Sequence, residues 1–259
     1  MLATPAVTAT GLPNLVYRPI VPFGLLVRPV AESVEVSSLG TQRLARWVDD
    51  VRVLVLRGFA PMTGEELLAL CRAWGDRPAG DPGTVDAAVH DHAADRFLAC
   101  GAVPCHWDGA LAPVEPHYVV FHRGQALPTG SGGQTVICDT TRVCAKLGDA
   151  HLERWRRLSI GYRTATDAPC GGIVHALVSA HPTTGATRIR YAEPLSPEDC
   201  SSPLYLDVED ADEEEQERLV GELREELYAP DVCYLHEWRD GDIVVADNFA
   251  VLHGRRPVR

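Results

Sequence analysis

The sequence predicts a mainly β chain with flanking helices, built on a double-stranded β-helix (jelly-roll) core. Beyond residue 95 the chain breaks into short strand-like runs punctuated by Gly- and Pro-containing turns, the pattern of a double-sheet barrel or jelly roll. Helical periodicity is confined to the first third and to two later interruptions. Neither an internal repeat nor an apolar-poor linker divides the chain, so residues 1–259 are expected to form a single domain. N-terminal helix and strand elements and a lid loop occupy 1–95, and the jelly-roll core with helical insertions occupies 96–259.

The opening mixes Pro and Gly with short apolar pieces, Leu15–Tyr17 and Gly24–Val27, which suits an extended lead-in with one or two edge strands. Thr41 is placed to cap a helix through Trp47, and Val51–Leu56 is β-branched and strand-like. Thr63 with Glu66 three residues later forms a capping box ahead of Leu67, Leu68, Leu70 and Trp74. From Asp76 to Asp95 Gly, Pro, Asp and His dominate, and so long a loop inside a compact enzyme is usually a lid or binding loop. Strands are expected at Phe97–Val103, Tyr118–His122, Gln134–Cys138, Ser159–Arg163, Ile173–Ser179, Thr187–Tyr191, Val232–Trp238 and Asp242–Ala246. Helices are expected near Thr140–Arg157 and Glu213–Tyr228. The carboxylate-dense Glu209–Glu217 reads as the solvated start of the second helix, whose N-terminus favours negative charge, and not as a metal site.

Composition removes several function classes. The 259 residues are 46% apolar and 23% charged, enough for one substantial core. Lys and Arg number 24 against 36 Asp and Glu, a net charge of −12, the wrong sign for a groove that neutralises nucleic-acid phosphates. The uncharged apolar stretches fall short of the roughly 20 residues of a bilayer span. Before Arg18 there is no basic residue, and Pro5, Pro13 and Pro19 stand where a signal peptide would be apolar, so a cytoplasmic protein is expected. The eight cysteines lack the spacing of a zinc knuckle and are expected to be buried, reduced thiols. Nothing in the sequence sets the oligomeric state.

Of the ten histidines, one stands in a His-x-Asp: His106-Trp107-Asp108, directly after the strand ending Val103-Pro104-Cys105 and before Gly109. On an extended chain residues two apart face the same way, so an imidazole and a carboxylate can meet one metal ion. A third ligand must come from elsewhere, and His253, beyond Asp242–Ala246 and Asn248–Leu252, is within reach if neighbouring strands bring it there. Two His and one carboxylate on one face, with other positions open, suit non-haem Fe(II) and its oxygen chemistry. His151-Leu152-Glu153 has the same spacing but sits in a helical stretch, where such residues diverge. His90 and His92 flank Asp91 in the lid loop; His117, His122, His175, His181 and His236 lie on or beside strands, with His122 and His236 the most plausible active-site neighbours.

The wording around the pair adds a resemblance. Val103-Pro-Cys-His-Trp-Asp-Gly, Val120-Phe-His, Gly132-Gly-Gln-Thr-Val-Ile and Trp238-Arg-Asp-Gly-Asp-Ile-Val-Val-Ala-Asp-Asn-Phe-Ala-Val-Leu-His-Gly-Arg resemble the taurine dioxygenase superfamily of Fe(II)/2-oxoglutarate oxygenases. Tyr228-Ala-Pro-Asp-Val-Cys-Tyr-Leu-His-Glu-Trp, Arg190-Tyr-Ala-Glu-Pro and Ala246-Asp-Asn with Leu-His-Gly-Arg are similar to the branch that converts tyrosine or tryptophan isonitriles to vinyl isonitriles.

That resemblance implies His106, Asp108 and His253 as iron ligands and catalytic centre, with 2-oxoglutarate and O2 as co-substrates and a small molecule as substrate. It implies that Thr135 binds a co-substrate carboxylate through its hydroxyl. Chlorinating relatives replace the carboxylate ligand by a small residue, so the presence of Asp108 speaks against halogenation. A substrate acid group needs a cation, and Arg163, Arg188 and Arg190 are available, although each taken alone suits the surface. The superfamily arginine that pairs with the C5 carboxylate of 2-oxoglutarate lies beyond the distal histidine. Here the sequence stops at Arg259, six residues after His253, and the expectation is that the natural polypeptide continues and supplies it, with Arg255 or Arg256 as alternatives. The expected activity is oxidative desaturation or decarboxylation of an aromatic isonitrile acid. Its rivals are a hydroxylase of a free or carrier-bound amino acid and a non-catalytic barrel that binds a metal or small ligand.

Overall fold

Local sequence signals set the first elements in a computed structural model that describes residues 14–31, 33–75, 101–112, 114–164, 173–195 and 203–259. Strands β1 (Leu15–Pro19) and β2 (Leu25–Pro29) pair as an antiparallel hairpin. Helix α1 (Thr41–Val51) buries Leu44, Trp47, Val48 and Val51, an apolar stripe of helical period. It runs to Val51, which the sequence suggested would open the next strand; Arg52 (φ 70°) ends it and β3 (Val53–Leu56) follows, entirely buried. Helix α2 (Gly64–Arg72) starts at the predicted capping box, with Thr63 Oγ1 accepting from Glu66 N at 3.2 Å and Glu66 Oε2 accepting from Thr63 N at 2.7 Å. The expected lid loop, with His90 and His92, lies outside the described residues.

The chain continues through β4 (Val103–His106), β5 (Tyr118–Arg123) and β6 (Thr135–Asp139). The single helix expected at Thr140–Arg157 is two, α3 (Thr140–Lys146) and α4 (Asp149–Arg156), because Leu147 turns extended and Gly148 becomes the N-cap of the second. Next come β7 (Ser159–Thr164), β8 (Ile173–Ala176), β9 (Val178–Ala180), β10 (Thr187–Ile189), β11 (Leu204–Val208) and α5 (Glu213–Leu227). The last strands are β12 (Cys233–His236), β13 (Asp242–Asp247) and β14 (Val251–Arg255). The acidic run before α5 is a helix start: Asp212 accepts from Glu215 N at 2.9 Å in a second capping box.

Two compact units emerge, each from interleaved segments. The first comprises the described parts of Met1–Val85, Pro116–Thr129 and Glu237–Asn248 and holds a five-stranded sheet in the order β1-β2-β3-β13-β5. Its core joins Leu25, Val27, Leu54, Leu56, Ile243 and Val245 to the buried stripe of α1. The buried ends of β13 are charge-paired, Asp242 with Arg57 Nε at 2.7 Å and Asp247 with Arg52 at 2.8 Å. The second unit comprises the described parts of Asp86–Glu115, Gly130–His236 and Phe249–Arg259. It holds a four-stranded sheet β12-β6-β14-β4, a three-stranded sheet β11-β7-β8 and the pair β10-β9. Along the chain, β4, β5 and β6, and again β12, β13 and β14, alternate between the four-stranded and five-stranded sheets, the winding of the jelly roll that the sequence predicts.

The four-stranded sheet has two unlike faces. Directly opposed residues of antiparallel strands share a face. Cys105, Val136, Cys138, Leu252, Cys233 and Leu235 therefore lie together, and they belong to the apolar core around Trp155, Tyr162, Tyr191 and Leu223. The other face carries His106, His253, Arg255, Thr135, Ile137, Tyr234 and His236.

Candidate metal centre

His106 is the last residue of β4 and stands directly opposite His253 on β14, with ring centroids 4.5 Å apart. Two residues beyond His106 the chain turns, and Asp108 Oδ1 comes to 3.5 Å from His253 Nε2 and 4.0 Å from His106 Nε2. One ligand atom from each of the three lies within 4.8 Å of the others. The imidazoles are buried, with side chains 9% and 7% exposed, whereas Asp108 is 47% exposed. The open side of the group is thus the carboxylate side. The Pro104 carbonyl lies 2.9 Å from His106 Nδ1, and since a carbonyl only accepts, that nitrogen is the donor; in the neutral ring Nε2 then holds the lone pair that a metal needs. Two imidazoles and one carboxylate form a borderline donor set that fits Fe(II) and leaves further coordination positions for exogenous ligands.

Close backbone approach makes this geometry available. Gly254 faces two residues of β4 at an irregularity in the register, and a Cβ there would lie 2.5 Å from Val103 O, 3.0 Å from Pro104 C and 3.1 Å from Cys105 N. Gly109, at φ +108°, leaves no room for a Cβ either, which would come within 2.9 Å of the Glu115 Cα. Between His106 and Asp108, Trp107 is buried with its ring edge-on to His175 at 5.0 Å and Tyr162 at 5.8 Å. His175 Nε2 donates to Ala110 O at 3.1 Å, holding the far end of the same turn.

Thr135 lies on the ligand face, buried at the start of β6, with Arg255 opposite it on one side and His236 on the other. It is one strand across and one pleat repeat along from His253. Tyr234 Oη contacts His236 Nδ1 at 2.9 Å. Arg255 shares the face of His253 and donates to Gly101 O at 3.2 Å. His122 sits in the five-stranded sheet opposite Ile243, His117 stacks on Tyr118 at 3.9 Å, and His181 Nδ1 accepts from the backbone of Thr183 and Thr184. His151 pairs with Glu222 on the surface of α4.

One expectation about the arginines is corrected. Arg163 is the surface residue expected, paired with Asp207 at 2.7 Å, but Arg188 and Arg190 are 6% and 3% exposed. Glu115 makes their burial tolerable: it accepts two parallel bonds of 3.0 Å from Arg188 and one of 2.9 Å from Arg190. Both guanidiniums also donate to the Phe249 carbonyl, at 2.9 and 2.5 Å. Sequence reading missed Glu115 altogether, since no local motif marks a carboxylate whose partners lie 73 and 75 residues away.

The family model for the taurine catabolism dioxygenase TauD, TfdA family matches residues 17–259. Over 245 residues the chain is 38% identical to a Fischerella ambigua protein named 3-((Z)-2-isocyanoethenyl)-1H-indole synthase, covering 93% of this chain and 89% of the relative. It is 32% identical over 237 residues to the Pseudomonas aeruginosa tyrosine isonitrile desaturase, covering 90% and 81%. A solved structure of PvcB, described as an Fe, alpha-ketoglutarate dependent oxygenase from an isonitrile synthetic pathway, superposes with a TM-score of 0.77 at 30% identity, covering 95% of this chain and 87% of that one. On the span of the family match and these identities, the chain belongs to the taurine catabolism dioxygenase TauD, TfdA family.

Proposed function

We propose that this chain is an Fe(II)- and 2-oxoglutarate-dependent oxygenase that desaturates an aromatic isonitrile acid, with or without loss of CO2, to a vinyl isonitrile. The observation that carries the reading is the grouping of two buried imidazoles and one half-exposed carboxylate at His106, His253 and Asp108. The substrate class rests on similarity to the proteins named 3-((Z)-2-isocyanoethenyl)-1H-indole synthase and tyrosine isonitrile desaturase. His106 and His253, each through Nε2, and Asp108 through a carboxylate oxygen would hold the iron. With 2-oxoglutarate and O2, bound iron supplies an oxidant that removes hydrogen from an unactivated C–H bond while succinate and CO2 are released.

The rest of the work falls to the chain. The Pro104 carbonyl fixes the tautomer of His106. The buried histidine side of the cluster keeps water from the ligand nitrogens, and the exposed Asp108 side leaves room for co-substrate and substrate. Thr135, on the same face as the histidines, is placed to donate its hydroxyl to a co-substrate carboxylate. Arg188 and Arg190 each already donate to the Glu115 carboxylate and the Phe249 carbonyl, so a substrate acid at either would compete with those protein acceptors. Among the described residues no helix is long and apolar enough to cross a membrane, and Cys105, Cys138 and Cys144 are buried free thiols. The family match over residues 17–259 supports a single oxygenase domain acting on a small molecule, and the reduced thiols suit a reducing compartment such as the cytoplasm.

The test is coupled turnover. Protein loaded anaerobically with Fe(II), 2-oxoglutarate and an aromatic isonitrile acid, then exposed to oxygen, releases succinate in step with loss of the acid. Absence of succinate under those conditions would overturn this reading.

A further inference from the structure

Asp108 is the exposed member of the ligand group, and its two chain neighbours, Trp107 and Gly109, each meet a buried charged cluster. Gly109 lies against the Glu115 Cα so closely that a Cβ on Gly109 would stand 2.9 Å from it. The Glu115 carboxylate is gripped by both buried guanidiniums, and the Arg190 guanidinium also stacks over the Trp107 ring at 5.7 Å. The same two arginines donate to the carbonyl of Phe249, two residues before β14 begins and four before His253. The cluster therefore touches the chain on both sides of Asp108, at Trp107 and at Glu115 against Gly109, and touches the approach to His253 as well.

We propose that Glu115, clamped by Arg188 and Arg190, is a positioning residue for Asp108: it fixes where the Asp108 carboxylate stands relative to the two histidines, and so sets metal affinity without touching the metal. The proposal rests on the metal-site reading of His106, Asp108 and His253. Its physical basis is the geometry of the fork. Arg188 meets Glu115 in a bidentate pair that fixes the plane and direction of the carboxylate, and Arg190 adds a third bond from a second direction. With the carboxylate held on three bonds, the Glu115 Cα has little freedom, and it is this Cα that lines the space beside Gly109 where a Cβ would stand.

A double-mutant cycle separates positioning from general support. Co(II) is titrated anaerobically into four proteins: wild type, Glu115→Gln, Asp108→Ala and the double variant, with the visible absorption of bound Co(II) as the readout. Loss of an outer partner costs metal affinity about tenfold or more, and that is the expected effect of Glu115→Gln when Asp108 is present, with altered band positions. In the Asp108→Ala background the same change should move the affinity by less than about twofold, because the residue through which Glu115 acts is gone. Equal losses in both backgrounds, or no loss in the first, would overturn the proposal. Glu115→Asp covers the case in which Glu115→Gln does not fold, since it keeps the charge for both guanidiniums but draws the backbone off Gly109. It should show the same dependence on Asp108, and an equal loss with and without Asp108 would count against the proposal. If Asp108→Ala alone left Co(II) affinity at the wild-type level, the metal reading itself would fall, a result distinct from the failure of the clamp.

Discussion

Gly254→Ala isolates a single physical cause, because this glycine is not in the left-handed region and only space is at issue. The new Cβ would stand 2.5 Å from Val103 O, about 0.9 Å inside the 3.4 Å at which such contacts become ordinary, and the next nearest atoms are also β4 backbone. Backbone in a paired strand does not rotate away as a side-chain tip would, so β4 must move from β14 by most of an ångström. Overpacking of this kind costs about 1–3 kcal/mol, which lowers the melting temperature of a protein this size by about 2–12 °C. The same displacement separates His106 from His253, and a site that must hold its geometry within about 0.5 Å should lose Co(II) affinity about tenfold or more. Gly221→Ala is the opposite control: that glycine is exposed inside α5 with nothing within 4 Å of an added Cβ, and alanine there should stabilise by about 0.5–1 kcal/mol. Calorimetric melts with and without Co(II) read both quantities. A Gly254→Ala protein with wild-type melting and wild-type Co(II) affinity would refute the claim that close strand approach builds the site.

His106→Ala, Asp108→Ala and His253→Ala should each abolish 2-oxoglutarate-dependent turnover while leaving far-UV circular dichroism unchanged, because the folded core does not depend on the metal; near wild-type activity in any of the three would contradict the assignment. Asp212→Ala removes the acceptor for Glu215 N and should cost about 0.5–2 kcal/mol in denaturant unfolding without changing turnover, as befits a cap and not a ligand. Thiol labelling should follow the local electrostatics. The Cys138 thiol donating to Cys233, helped by Arg256, holds Cys233 below the usual thiol range, whereas burial pushes Cys144 up to about 12. At mildly alkaline pH Cys233 carries the larger thiolate fraction, so iodoacetamide should modify it first among the described cysteines; equal labelling of Cys144 in the folded protein would contradict this.

What could be seen in advance was local. The capping box at Thr63 and Glu66 needs only four consecutive residues, and it opens α2 where expected. The His-x-Asp that starts at the end of β4 is equally compact, whereas His253 as its companion needed the neighbouring strands and the resemblance together. Strand β14 was not seen, because it is buried on both faces through Gly254 and so shows no alternation to read. The helix expected over Thr140–Arg157 kept its apolar period across Leu147 and Gly148, and only the extended backbone at both residues shows that it is two. A lone arginine usually lies at the surface, which is the expectation that Arg188 and Arg190 overturn. Their burial follows from Glu115, a partner supplied by a distant loop, which no reading of neighbouring residues identifies.

Desaturation of aromatic isonitrile acids is tested most directly by the mass of the product. Tyrosine- and tryptophan-derived isonitrile acids are supplied separately with Fe(II), 2-oxoglutarate and ascorbate, oxygen is admitted, and the organic products are resolved by mass spectrometry. The expected product is lighter than the acid by two hydrogens, or by two hydrogens and one CO2, and forms in proportion to succinate. A stable product heavier by one oxygen would make the chain a hydroxylase, and unchanged acid would contradict the assignment altogether.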